Sequence, residues 1–299
     1  MQTLTDIQHR LQGLEDIRHL LRSVRAMSAI RWRRARGHLR AAQIYAGAVD
    51  AQLRLVTALE ALPAHGVSGH AVRAPTDGVV GLTALTSDRG LCGTFNAGLV
   101  SQALDRVRQW HQQGYQVKVI SLGGYGERLF RDAGCEILYT QRFPLAQAIS
   151  FVAARDVIAR IKAFYESGAI GELHVMYNQF SSFGSYRTVA VRLLPPDLTQ
   201  IASQACAVPE DLILGSARGE LQQFLSWEHL ATRLYLALIE SMVSEHGARL
   251  QTMDAAISNL DERVASLELQ YHAIRQERIT QEVLEVQGNL RDRGVNARR

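Results

Sequence analysis

The residues best placed to do chemistry in this chain form one turn: Ser87, Asp88, Arg89, Gly90, Leu91, Cys92, Gly93 and Thr94. The turn follows an apolar run and precedes an amphipathic one, which puts it at the carboxyl end of a strand, the edge on which open α/β sheets bind ligands. Gly90 and Gly93 permit a tight bend, and Asp88 or Thr94 could cap the helix that follows. What the turn lacks decides more. A phosphate-cradling loop needs G-x-x-x-x-G-K-S/T and a dinucleotide site needs G-x-G-x-x-G, and neither occurs. The cluster Gly123, Gly124, Tyr125, Gly126 echoes the second pattern, but no acidic residue stands ~20 residues on to meet a ribose, so it reads as an ordinary strand-to-helix turn.

Nucleophilic and metal chemistry fare no better. Cys92 sits among glycines with no His or Asn context that specifies a triad, and reads as a small packed thiol. The three cysteines, Cys92, Cys135 and Cys206, are far apart and odd in number, which fits neither a disulfide framework nor metal-ligand spacing and points to a reducing compartment. The ten histidines are scattered. His65 and His70 share a loop without further ligands, and no H-E-x-x-H or C-x-x-C occurs. The expectation is no catalytic residue, no cofactor and no metal.

Charge is the remaining signal. The formal net charge is +4, and of the 33 basic residues all but Lys118 and Lys162 are arginine. Arg18, Arg22, Arg25, Arg31, Arg33, Arg34, Arg36 and Arg40 follow one another with no acidic residue between them. Such a run is either a solvated helix face or a docking surface for acidic groups or phosphates, and the sequence leaves both open.

The elements that carry these residues are set by periodicity. Val243, His246, Leu250, Met253, Ile257, Leu260, Val264, Leu267, Tyr271 and Ile274 recur in alternating steps of three and four, a heptad seam that stays on one face only in a left-handed coiled coil. His246, on that seam, reads as a satisfied core histidine. At 1.5 Å per residue, ~60 such residues make a rod of roughly 90 Å, too long to bury in one globule of this length. Leu4, Ile7, Leu11, Leu14, Ile17, Leu21, Val24 and Met27 give the partner helix, which runs on until Pro63. Between them the period changes. Strands are predicted near 79–86, 117–122, 137–139, 173–180 and 186–194, and helices near 96–113, 127–133 and 145–165, with a hairpin at 181–185. A loop at 64–78 and an irregular stretch at 195–219 join this middle to the ends. The fold class is α/β: an antiparallel coiled coil of the N- and C-terminal helices plus an inserted small open α/β sheet, Rossmann-like, with domains at 1–62, 63–219 and 220–299. The N-terminus has no apolar signal core and no run of ~18 apolar residues occurs, so no membrane span is expected.

Three stretches resemble one family, the gamma subunit of the F-type ATP synthase. They are M-S-A-I-R-W-R-R-A at 27–35, T-S-D-R-G-L-C-G-T-F-N at 86–96, and a third at 245–285 that contains E-H-G-A-R-L-Q-T-M-D-A-A-I-S-N and L-E-L-Q-Y-H-A-I-R-Q-E-R-I-T-Q-E-V-L-E. The last coincides with the heptad seam, and order and spacing agree over essentially the full length. The resemblance implies a non-catalytic central stalk that couples ion flow through a membrane ring of c subunits to the nucleotide sites of the beta subunits. It also implies as partners the alpha and beta subunits of the catalytic hexamer, the epsilon subunit and the c ring, with no nucleic acid. The implied location is peripheral, on the cytoplasmic face of the bacterial inner membrane. Partner-interface residues carried over on matching positions are Arg33, Arg34, Asp88, Arg89, Leu91, Arg275, Gln276, Thr280 and Glu282. Thr94, Phe95, Trp32, His272 and Glu277 depart from the family pattern, and a tail at 291–299 adds four arginines; these mark a diverged or paralogous member. The alternatives are a nucleotide-dependent enzyme with a coiled-coil arm and a basic coiled coil that binds nucleic acid.

Overall fold

The computed structural model describes residues 4–60, 78–143, 149–196 and 216–296. Most of the loop at 64–78, most of the stretch at 195–219 including Cys206, and the last residues of the tail lie outside the described residues. In chain order the elements are α1 (Leu4–Glu60), β1 (Val79–Leu85), α2 (Phe95–Gln112), β2 (Gln116–Leu122), α3 (Gly124–Asp132), β3 (Glu136–Gln141), α4 (Phe151–Glu166), β4 (Glu172–Ser182), β5 (Ser185–Leu194) and α5 (Arg218–Asn296). By internal contacts the chain divides into Met1–Met27 with Gln251–Arg299 and, separately, Ser28–Leu250. This division cuts both long helices, whereas the domains expected from sequence follow the helix ends.

In the first unit the two helix ends run antiparallel in one fixed register. Gln8 donates to the Tyr271 hydroxyl at 2.9 Å, Arg18 meets Asp261 at 2.8 Å, and Arg25 pairs with Asp254. Seventeen residues forward from Gln8 to Arg25 match seventeen back from Tyr271 to Asp254, so the pairing does not slip. Ile7, Met253, Leu260 and Val264 are buried, and Leu11, Leu14, Leu21, Val24, Ile257, Leu267, Tyr271 and Ile274 half-buried, which is the expected seam. Two expectations fail. Ile17 is 48% and Met27 51% exposed, while the half-buried Arg18 takes the inward position instead. An arginine can do so because its stem packs while its head reaches Asp261.

The second unit is built on a five-stranded sheet ordered β3-β2-β1-β4-β5. β1 pairs in parallel with β2 and β4, β2 in parallel with β3, and β5 antiparallel with β4. The period-two alternation of a strand sorts its side chains by face. Val80, Leu82, Ala84, Val117 and Val119 pack with Leu99, Val107 and Trp110 of α2 and Phe130 of α3. Ile120, Leu122, Val175 and Tyr177 pack with Val157 and Ile161 of α4 and Leu230, Leu234 and Leu238 of α5. Within this unit α1 lies against α5 through Ala35, Leu39, Ile239 and Val243, and through Leu53, Val56 and Leu225. Asp50 ties the same two helices, accepting from His229 Nδ1 at 2.7 Å and Arg233 Nη2 at 2.5 Å.

The β4–β5 hairpin turns at Phe183 and Gly184, and Ser182 pairs with Ser185. Its tip explains the weakest helix former in α5: a Cβ on Gly247 would sit 3.2 Å from the Gly184 backbone nitrogen. The Phe183 ring meets Trp32 edge-to-face at 5.2 Å, and the Arg36 guanidinium lies over the same indole, 5.2 Å from a ring centroid. α4 begins at Phe151, with Ser150 capping it through Ala153 N at 3.2 Å, where sequence placed the start near 145.

Candidate partner interface

The turn after β1 is closed on itself. Ser87 N donates to Asn96 Oδ1 at 2.9 Å, and Asn96 Nδ2 returns a bond to Ser87 Oγ at 2.7 Å, so one asparagine at the start of α2 clasps the beginning of the turn. The far side is pinned by Asn178 on β4, which donates to the Phe95 carbonyl at 2.9 Å and accepts from Thr188 at 2.7 Å. Phe95, which departs from the family pattern, is fully buried and meets Tyr186 at 5.4 Å. Cys92 is 2% exposed, and burial pushes its thiol above its ordinary pKa, the environment of a packed thiol.

Asp88 departs from expectation. It caps neither α2 nor itself: Thr94, the residue ahead of α2, makes no side-chain cap, and Asp88 reaches across to α3. Its carboxylate accepts from Gly124 N at 2.7 Å and Phe143 N at 3.1 Å. A negative charge at a helix N-terminus satisfies an orphan N–H and opposes the helix dipole favourably. The glycine cluster then has a steric reason. Gly123 has φ 117°, and a Cβ there would stand 2.1 Å from the Thr86 carbonyl oxygen; at Gly126 it would stand 2.7 Å from the Thr86 side chain. These glycines let β1 and α3 close up around Asp88.

The turn is also held from α5. Arg249, whose side chain is 7% exposed, donates through Nε and Nη2 to the Gly90 carbonyl at 3.3 and 3.2 Å and through Nη2 to the Arg89 carbonyl at 3.3 Å. Its Nη2 also lies 2.8 Å from Glu245 Oε1. Burial raises the Glu245 pKa, against the opposing pull of Arg249. His246 is 4% exposed and its Nδ1 lies 3.3 Å from Arg249 Nη1; burial, with Arg249 and Arg31 adding to it, lowers its pKa to about 3. The imidazole is therefore neutral and Nδ1 accepts. What remains outside is Arg89, exposed and without an acidic partner among the described residues, and Leu91, 58% exposed at φ 62°.

The chain matches the ATP synthase family model over residues 3–290. It is 30% identical over 288 residues to the ATP synthase gamma chain of Anaeromyxobacter sp. (strain Fw109-5), covering 96% of this chain and 97% of that one. The chain belongs to the ATP synthase gamma-chain family. A gamma chain from Pelotomaculum thermopropionicum is 28% identical, with 96% and 98% covered. The fold agrees with a chain of the Euglena gracilis mitochondrial ATP synthase at TM-score 0.66, 16% identity, 96% of this chain and 93% of that one. A chain from the structure of the Tetrahymena thermophila mitochondrial ATP synthase central stalk and c ring gives 0.58 at 20% identity, with 79% of this chain and 99% of that one covered.

The residues expected from sequence at a partner interface fall in both units. In Ser28–Leu250, Arg33, Arg34, Arg89 and Leu91 are exposed, while Asp88 is drawn inward to α3. In the other unit Arg275, Gln276, Thr280 and Glu282 are all exposed; Thr280 bonds back to the Gln276 carbonyl at 2.9 Å and Glu282 pairs with Arg278 at 3.2 Å. Of the arginine run, Arg18 and Arg25 find acids on α5 and Arg36 covers Trp32. Arg22, Arg33, Arg34 and Arg40 are exposed with no acidic partner among the described residues. Asn96 and Asn178 were not singled out from sequence, and Arg249, which with Glu245 lies off the heptad seam and reads from sequence as solvated flank, is instead buried against the turn after β1. The i,i+4 pair Glu245–Arg249 was the available signal, and nothing in its spacing says that it reaches residue 90. Among the described residues no group of His, Cys, Asp or Glu is arranged to hold a metal, and no helix is long and apolar enough to cross a membrane.

Proposed function

We propose that this chain is the rotating central stalk of an F-type ATP synthase, a subunit without catalytic residues of its own that transmits torque between a membrane ring and the nucleotide-binding hexamer. The observation that carries the reading is the fixed antiparallel pairing at Gln8–Tyr271, Arg18–Asp261 and Arg25–Asp254. A rotor needs a shaft that transmits twist without slipping register, and a two-stranded coiled coil pinned at three levels is such a shaft.

Its partners in this reading are the alpha and beta subunits of the hexamer, the epsilon subunit and the c ring. Exposed cations without internal partners, Arg33, Arg34, Arg89 and Arg275, present themselves to acidic groups of the hexamer. The complex sits on the cytoplasmic face of the bacterial inner membrane, with this chain peripheral to it. The nucleotide-enzyme alternative loses one anion position, because the helix N-terminus after the second strand already holds Asp88. The test is turnover of magnesium ATP by the purified chain and by the same chain with alpha and beta subunits. The chain alone should give none; turnover by the chain alone would overturn the reading.

A further inference from the structure

In Ser28–Leu250 the sheet must turn together with both long helices, yet neither core cluster of the sheet contains an α1 side chain among the described residues. The inward side of α1 is the buried line Ala35, Leu39, Ala42 and Ala46, of which Ala35 and Leu39 pack on Ile239 and Val243 of α5. Three of these four are alanine, whose methyl group is too short to interlock as a leucine knob does. The line therefore sets the spacing of the two helices better than it resists their roll. Two aromatic contacts lie on opposite flanks of it. At about 100° per residue, Trp32 stands roughly 60° to one side of Ala35 and Tyr45 roughly 80° to the other, and the contacts are roughly 20 Å apart along the helix. On the Trp32 flank sits the tip of the β4–β5 hairpin. Phe183 meets Trp32 edge-to-face at 5.2 Å, and a Cβ on Gly247 of α5 would stand 3.2 Å from Gly184 N and 3.6 Å from Trp32 Nε1. On the Tyr45 flank sits the first residue of α4. Phe151 meets Tyr45 of α1 and Tyr235 of α5 edge-to-face, each at 5.4 Å. The Tyr45 hydroxyl donates to Glu228 Oε1 at 2.8 Å, and Arg155 Nε of α4 lies 3.9 Å from the other oxygen of that carboxylate.

We propose that the hairpin tip and the start of α4 form a two-sided collar on the helix pair, with Phe183 and Phe151 as positioning residues that pass torque between the sheet and α1. Each ring is lodged in one of the two grooves between α1 and α5. Packed atoms resist compression steeply and separation only weakly. Each wedge therefore blocks roll of α1 in one direction, and the two together block both. Their separation along α1 makes the same pair resist tilt. This proposal rests on the rotor reading and adds to it the contacts that carry the load.

The experiment fixes the assembled complex to a surface through its alpha and beta subunits, attaches a bead to α2 through Arg108→Cys, and records the bead's angular distribution while the motor waits at low ATP. The unaltered collar should give a narrow, symmetric distribution. Phe183→Ala should skew it to one side and Phe151→Ala to the other. The double variant should be symmetric again with about twice the variance, because close packing is what stiffens the joint. Phe183→Tyr and Phe151→Tyr keep the rings and should match the unaltered collar. Phe183 is 52% exposed, so its loss should leave the fold intact; if Phe151→Ala does not assemble, Phe151→Leu should skew the distribution the same way by less. Phe130→Leu, a core change on the opposite face of the sheet, should lower the unfolding midpoint without any skew. A double variant no broader than the unaltered collar overturns the proposal, as do single variants that skew to the same side. The same skew with Phe130→Leu also overturns it, since the wedges would then act through stability alone. A complex with the unaltered collar that hydrolyses ATP without turning the bead would overturn the rotor reading itself.

Discussion

Asp88 places its carboxylate 2.7 Å from the backbone nitrogen of Gly124, the first residue of α3. In an open α/β sheet that position is where a phosphate arrives, since the helix N-terminus offers free N–H groups and a positive dipole end. Here the chain supplies the anion itself. The anion position at the α3 N-terminus is filled from within.

Removing that carboxylate should therefore unfold the sheet-bearing unit more easily. Asp88→Ala leaves Gly124 N and Phe143 N without their partner, and an orphaned half-buried donor costs ~1–3 kcal/mol. Urea unfolding should show the loss, with Asp88→Asn milder because its amide oxygen still accepts. An alanine variant with the wild-type midpoint would mean that water replaces the carboxylate at no cost.

Gly123→Ala should be worse. The residue sits at φ 117° with the Thr86 carbonyl oxygen 2.1 Å from where a Cβ would be. Backbone strain alone is worth ~1–3 kcal/mol, and the overlap forces β1 and α3 apart besides. Loss of soluble, cooperatively unfolding protein is expected; a stable variant would show that the turn can be rebuilt.

In the coiled-coil unit Leu260 is 5% exposed and Leu20 is 61% exposed. Leu260→Ala should cost ~2–5 kcal/mol and lower coupling before it abolishes assembly. Leu20→Ala should stay within about 0.5 kcal/mol, as surface changes do. Equal effects in a denaturant titration of the two variants would contradict the seam as described.

The seam shows how far periodicity reaches. Val243 through Ile274 are all buried or half-buried because α5 offers an apolar or half-apolar residue at each three- or four-residue step. On α1 the same count chose Ile17 and Met27, which face out. Arg18 won the inward place through Asp261, a residue more than two hundred positions away, and a pattern that scores side chains by polarity cannot see that pairing. The same limit hid Asp88. A capping residue ahead of α2 is a local inference, whereas its actual partner on α3 is fixed by the parallel pairing of β1 with β2. Helix α3 itself was placed three residues late because Gly124 and Gly126 are poor helix formers; a Cβ at Gly126 would meet the Thr86 side chain, and one at Gly124 would stand 3.1 Å from the Arg142 side chain.

Acid should loosen the tie between α1 and α5 in the sheet-bearing unit. Burial pushes the Asp50 carboxyl up, but the hydrogen bond from His229 and the charges of Arg233, His229 and Arg54 outweigh it and hold the pKa below the usual carboxylate value. A folded pKa below the unfolded one means that the stabilisation is fully present above about pH 4, the unfolded value, and is lost as pH falls through the folded pKa. The stability difference between wild type and Asp50→Asn should accordingly be constant near neutrality and shrink below pH 4. A difference that grows on acidification would reverse the assignment.

Rotation itself is the most direct test of the account. With the alpha and beta subunits fixed to a surface and a bead attached through a cysteine at the exposed Arg108 position of α2, magnesium ATP should drive the bead in one direction for as long as nucleotide lasts. Steady hydrolysis by the hexamer with the bead held only in random motion, in complexes shown to contain this chain, would contradict the claim that it is the shaft.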